Sequence, residues 1–145
     1  MGSRRRSREL ALQALFYMDM RKNRSEEMLK LFVDHFIGSE KPPPFFEEIV
    51  RGVIAMGDEI DLIIKRFSNK WKLNRMPCVD RNILRLAAYE LLYCDDVPAK
   101  VSINEAIDIG KKFGAEDSGA FINGILDSIR IEHEKDSNSV DQTVC

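Results

Sequence analysis

The chain has 145 residues, 44% of them hydrophobic, and a formal charge of −2, which suits one domain, or two small lobes sharing an interface, with a buried core. No apolar run approaches the roughly 18 residues that a membrane span needs. Cys78, Cys94 and Cys145 are too widely spaced for a Cys-x-x-Cys pair, and His35 and His133 lack ligand-like neighbours, which argues against a metal site and a disulfide framework and for a reducing cytosol.

The small net charge hides an asymmetry. Residues 1–24 carry seven Arg and Lys against Glu9 and Asp19, hence +5, so the remainder sums to −7. That pattern describes a basic binding element on a mildly acidic scaffold. Met1-Gly2 does not open an acylation motif, because the sixth position is Arg6 rather than Ser or Thr.

In chain order, helical periods recur and period-two alternation is almost absent, so the fold is all-α. From Glu9 onward, Leu10, Ala11, Ala14, Leu15 and Met18 form one apolar stripe that fades by Arg21 to Arg24. Ser25, followed by Glu26 and Glu27, predicts an N-cap and acidic first turn for a short helix to Phe36. The Pro42-Pro43-Pro44 run breaks that helix, and Pro44 suits the start of the next, over 45–67. The stretch from Ser68 to Pro77 loses periodicity and holds the only tryptophan, Trp71, placing a hinge there. "VDRNILRLAAYELLY" is apolar on most sides and predicts a central helix. Ser102 and Glu105 have capping-box spacing before "AIDIGKKF", and Gly114 is a natural stop. The last helix starts near Asp117 or Ser118 and runs to about His133. Gly124 within it costs about 1 kcal/mol relative to Ala, an expense that the close approach of another helix would offset. The polar residues 135–145 read as a flexible tail.

The candidate chemistry is binding. Arg4, Arg5, Arg6 and Arg8 stand at a helix start, where exposed N–H groups and the macrodipole disfavour cations unless an anion is present. Their interleaving with Ser3 and Ser7 suits phosphate, and arginine stacks on unpaired bases, which favours single-stranded RNA. In "KKFGAEDSGAFING", Lys111 and Lys112 offer phosphate partners, and Phe113 and Phe121 flank a turn as aromatic platforms do. Burial of the phenylalanines and capping by Asp117 and Ser118 would account for that stretch equally well. No Gly-rich phosphate loop, nucleophile elbow or zinc motif is present, so catalysis and cofactors are not expected.

Three blocks, "RRRSRELALQALF", "WKLNRMPCVDRNILRLAAYELLY" and "DVPAKVSINEAIDIGKKFGAEDSGAFINGILDSI", occur in that order. Together they resemble the NusB family of bacterial transcription antitermination factors, from Arg4 to about Glu134. The resemblance implies six to seven helices in two small bundles packed across each other, about 4–67 and 77–134 within one domain over 1–134. It implies a non-catalytic cytoplasmic role: binding single-stranded boxA RNA with the ribosomal protein NusE, and joining RNA polymerase with NusA and NusG on ribosomal RNA operons. Carried over by motif, Arg4, Arg5, Arg6 and Arg8 match the basic RNA-binding segment, and Phe113, Asp117, Ser118 and Phe121 match a second RNA-facing block. Lys111 and Lys112 adjoin that block, and Gln13 lies within reach of the same strand. Asp80, Arg85 and Tyr89 fall on the helix that resembles the NusE-binding one. Ala120 stands where the family commonly has a basic residue, which implies a weaker or differently distributed RNA contact there.

Two alternatives keep the helices and change the role. An accessory domain like those of RNA cytosine methyltransferases would need a catalytic domain beyond residue 145, and no loop for a methyl donor is present. A pure protein-interaction module would direct the arginines at an acidic partner, which salt dependence and RNA competition would distinguish. Monomer and homodimer both remain open.

Overall fold

The computed structural model describes the backbone of residues 2–68 and 73–144, with side chains placed over 4–68 and 73–136. Six α-helices and no strand are present among the described residues: α1 (Gly2–Met20), α2 (Glu26–Phe32), α3 (Pro44–Ser68), α4 (Cys78–Tyr93), α5 (Ala99–Phe113) and α6 (Ser118–Val144). A π-helical stretch, Val33–Ile37, continues α2, and a 3₁₀ turn, Leu73–Arg75, precedes α4. The expected hinge falls partly on residues 69–72, including Trp71, which lie outside the described residues.

Helix α4 is the shared element, packing against α1 and α3 and also against α5 and α6. Its apolar circumference dictates this, since Ile83, Leu84, Leu86, Ala87 and Ala88 are all buried. Leu15 and Met18 of α1, Phe46, Ile49, Val53 and Ile60 of α3, Ile109 of α5, and Ile122 and Leu126 of α6 join them in one continuous core. Close packing of α3 on α4 depends on Gly52. A β-carbon there would lie 2.1 Å from the Tyr89 ring.

Several boundaries follow the sequence. Ser25 caps α2, accepting a hydrogen bond from the Met28 N–H at 3.2 Å, and α3 begins at Pro44. Four details differ. Helix α1 begins at Gly2, so the arginines lie inside its first two turns. Helix α5 starts at Ala99 after Pro98, so Ser102 and Glu105 form no capping box and their side chains bond elsewhere. Helix α6 runs on to Val144 where a flexible tail was expected. The chain after Gly124 contains neither Gly nor Pro, and Arg130 adds an ion pair one turn ahead to Glu134 at 3.0 Å. Gly124 itself faces open space, and a β-carbon there would meet nothing within 4 Å, so no helix approach offsets its cost.

Candidate nucleic-acid interface

The first turn of α1 contains no acid of its own. Carboxylates from elsewhere in the chain surround it instead. Arg4 pairs with Asp96, in the turn after α4, at 3.1 Å. Arg5 donates to Glu105 and, at 2.8 Å, to Asp108, both on α5. The Arg4 guanidinium also lies 4.4 Å from the centroid of the Phe45 ring. Arg6 is exposed, with no carboxylate in ion-pair range among the described residues.

Arg8 corrects the reading of four equivalent cations. It is 2% exposed, and its guanidinium forks onto Glu90, with Nε to Oε2 at 2.9 Å and Nη2 to Oε1 at 2.7 Å. The Ser102 hydroxyl donates to the same carboxylate at 3.1 Å, and Glu105 lies 3.5 Å from Nη1. A buried charge must be paired and hydrogen-bonded, so this guanidinium is committed to the interior. Ser7 is buried beside it.

The start of α1 and the end of α5, the two stretches expected to read RNA, come together in space. Lys112 of α5 reaches Glu9 of α1 at 2.6 Å. Gln13 and Phe113 line one open groove of about 440 Å³, whose other walls include Leu12, Phe16, Tyr17 and Phe36. Phe113 is 40% exposed and Phe16 38%. The groove is apolar, yet it is bordered by Lys112, whose ammonium sits 5.1 Å over the Phe113 ring, and by Arg21, 3.6 Å over Tyr17. Exposed rings beside cations are suited to bases stacked along a phosphate backbone. Phe16, Met20 and Phe36 were missed by sequence reasoning. Gln13, Phe16 and Met20 share a second helical face at i, i+3 and i+7, a signal masked by the stronger core stripe.

Lys111 and Asp117 are exposed, and Phe121 is partly buried against the core. Ser118 is not available to a ligand, being 0% exposed. Its oxygen accepts from the Ala115 N–H at 2.8 Å while its hydroxyl donates to Asp80 at 2.8 Å. Gly114 is required by this turn, because a β-carbon there would meet the Ser118 oxygen at 2.5 Å. The Ser118–Asp80 bond therefore fixes the turn that presents Phe113 and Asp117.

Asp80 and Arg85, assigned to a protein partner, are also interior. Burial pushes the Asp80 carboxyl above its ordinary range, against the Ser118 hydrogen bond that lowers it. Arg85 forks onto Asp61 at 2.8 and 3.1 Å and reaches Asp19 at 3.0 Å. Of that set Tyr89 alone has surface, half-buried on Gly52 with its ring 5.4 Å from that of Tyr93. Tyr93, 39% exposed, extends this face, its hydroxyl reaching Glu59 of α3 at 3.4 Å. Neither described thiol has a reactive setting: burial and Asp19 push Cys78 up, and burial and Glu48 push Cys94 up to about 12.

Asp19 ties α1 to α4, accepting from Arg81 at 2.8 Å, Asn82 at 2.9 Å and Arg85 at 3.0 Å. Burial acts to raise its carboxyl, but the Arg81 and Asn82 hydrogen bonds and the Arg85 charge outweigh it and hold the group below its ordinary value. A depressed folded-state value means that the unfolded chain binds the proton first. Asp19 thus contributes its full stability above the ordinary Asp value of about 3.9 and loses it as pH falls through the lower folded-state value. Asp19→Asn is expected to reduce stability at pH 7, with the difference from the parent chain shrinking between pH 4 and pH 2. Urea midpoints across that range check it.

The family model described as the NusB family matches residues 5–130. A transcription antitermination protein NusB from Desulfatibacillum aliphaticivorans is 56% identical over 144 residues, covering 96% of this chain and 97% of that protein. The protein of the same name from Bacillus subtilis is 44% identical over 132 residues, covering 91% and 98%. Among solved structures, T. maritima NusB superposes with a TM-score of 0.79 at 44% identity, covering 90% of this chain and 92% of that one. A chain from a complex of the antitermination factors NusB and NusE with double-stranded RNA gives 0.79 at 27% identity, covering 91% and 98%. With its helices, its ordered sequence blocks and these relatives in agreement, the chain belongs to the NusB family.

Proposed function

We propose that this chain is a transcription antitermination factor that binds boxA-type RNA together with NusE and brings that pair to RNA polymerase, with NusA and NusG, on ribosomal RNA operons. The role is one of binding, without catalysis, and belongs with transcription in the cytoplasm. The observation that carries it is that Gln13, Phe16 and Phe113 line one groove, with the exposed Arg6 seven residues before Gln13 on the same face of α1 and Lys112 over the Phe113 ring. Arg4, Arg5, Arg6, Lys111 and Lys112 supply phosphate contacts, while Phe16 and Phe113 supply stacking surfaces. Arg8, Asp80 and Ser118 hold these groups in place without touching RNA. Tyr89 is the surface group of its helix offered to NusE, with Tyr93 beside it, and Arg85 anchors that helix from within.

Exposed rings favour single strands, in which bases are free to unstack, whereas the related complex holds double-stranded RNA. Titration of labelled single-stranded boxA RNA, a scrambled strand and a duplex, each with and without NusE, tests the reading. Tightest binding to the single boxA strand, strengthened by NusE and falling with salt at about −0.7 per phosphate contacted, is the expected result. Equal binding of all three RNAs with no response to NusE overturns it.

A further inference from the structure

Arg4 and Arg5 are not waiting unpaired for an anion. Asp96 already occupies Arg4 at 3.1 Å, and Arg5 is shared between the exposed Asp108, at 2.8 Å, and the less exposed Glu105. A carboxylate presents the same pair of acceptor oxygens to a guanidinium fork that a phosphate does. The Phe45 ring, 4.4 Å from the Arg4 guanidinium, also helps to hold it, so one anion can replace the other with the arginine kept in place. Both carboxylates are about half or more exposed, at 67% for Asp96 and 50% for Asp108, which leaves them free to swing into solvent. The buried partner Glu90, at 0%, has no such freedom.

We infer that Asp96 and Asp108 are affinity-setting residues, an intramolecular stand-in for phosphate that every RNA must displace from Arg4 and, beside the retained Glu105, from Arg5 before it binds. The inference rests on the RNA-binding reading above. Its consequence is a threshold. Charge alone binds weakly, and stable association requires the additional contacts of Arg6, the aromatic groove and a second protein. Because the displaced carboxylates do not read bases, they subtract the same amount from every sequence.

The test compares the parent chain with Asp96→Asn/Asp108→Asn and with a control, Asp95→Asn/Glu116→Gln, which removes equal charge from exposed acids that hold no arginine. Each is titrated with boxA RNA, a scrambled strand and inorganic polyphosphate, a polyanion without bases, at low and high salt. The double Asp variant is expected to bind all three about five-fold more tightly, as release from two exposed ion pairs would allow, and the control less than about two-fold. The gain should shrink as salt screens the surface. An equal gain in the control, or none in the double variant, overturns the inference and leaves the RNA reading standing. A gain confined to polyphosphate, with no RNA bound by any of the proteins, keeps the displacement and overturns the RNA reading.

Discussion

Arg8→Ala is expected to lower stability by about 3–5 kcal/mol, the usual cost of leaving one member of a buried ion pair without its partner. The residue left behind is Glu90, fully buried, with the Ser102 hydroxyl as its remaining hydrogen-bond donor. Arg8→Lys recovers little, since an ammonium cannot make the two parallel bonds of the fork. Joint replacement, Arg8→Met with Glu90→Leu, removes both charges at similar volume and should restore most of the loss. Chemical denaturation of these variants is the check. A denaturation midpoint for Arg8→Ala within experimental error of the parent would show the pair to be dispensable. The result also governs how the arginine cluster is studied, because any variant that includes Arg8→Ala loses RNA binding through unfolding as well as through charge.

The second large effect separates the surface cations from Arg8. Arg6→Ala is expected to weaken RNA binding about ten-fold, corresponding to one charge-assisted contact, with no change in the denaturation midpoint. Arg4→Ala and Arg5→Ala should each cost less than Arg6→Ala, because displacing Asp96 or the Glu105–Asp108 pair offsets part of what those arginines gain. The triple variant should lose about a hundred-fold, with a salt dependence shallower by about 0.7 for each phosphate contact removed. Unchanged affinity in the triple variant would remove α1 from the interface.

The elements that the sequence predicts well are those whose stabilisation is local. Ser25 and its acidic first turn, Pro44 at the start of α3 and Gly114 at the end of α5 act within a few residues of themselves, and the all-round apolarity of α4 announces its central place. What was missed depends on distant partners. The start of α1 is stabilised by Asp96, Glu105 and Asp108, separated from it by 92 to 103 residues. The same distance defeats the capping-box expectation, since Ser102 and Glu105 are drawn to Glu90 and to the arginines.

One clue to Arg8 does lie in the sequence. Arg8, Ala11, Leu12 and Leu15 fall at i, i+3, i+4 and i+7, which puts Arg8 on the core stripe and Arg6 off it. Ser118 and Asp80 carry the matching lesson for the second block. Ser118, expected at RNA, and Asp80, expected at a protein partner, instead bond each other and build the turn, and the exposed Phe113 and Asp117 are what the turn displays.

The central claim is that the cations of α1 and the α5–α6 turn form one RNA surface with the groove between them. Mapping amide chemical-shift changes as boxA RNA is added to the isotope-labelled protein tests it most directly. Changes concentrated at Arg4 to Arg6, Gln13, Phe16, Phe113 and Asp117, with the Tyr89–Tyr93 face unaffected until NusE is added, are the predicted result. Changes centred on Tyr89 and Tyr93 with RNA alone, and none at Arg6 or Phe113, would contradict it.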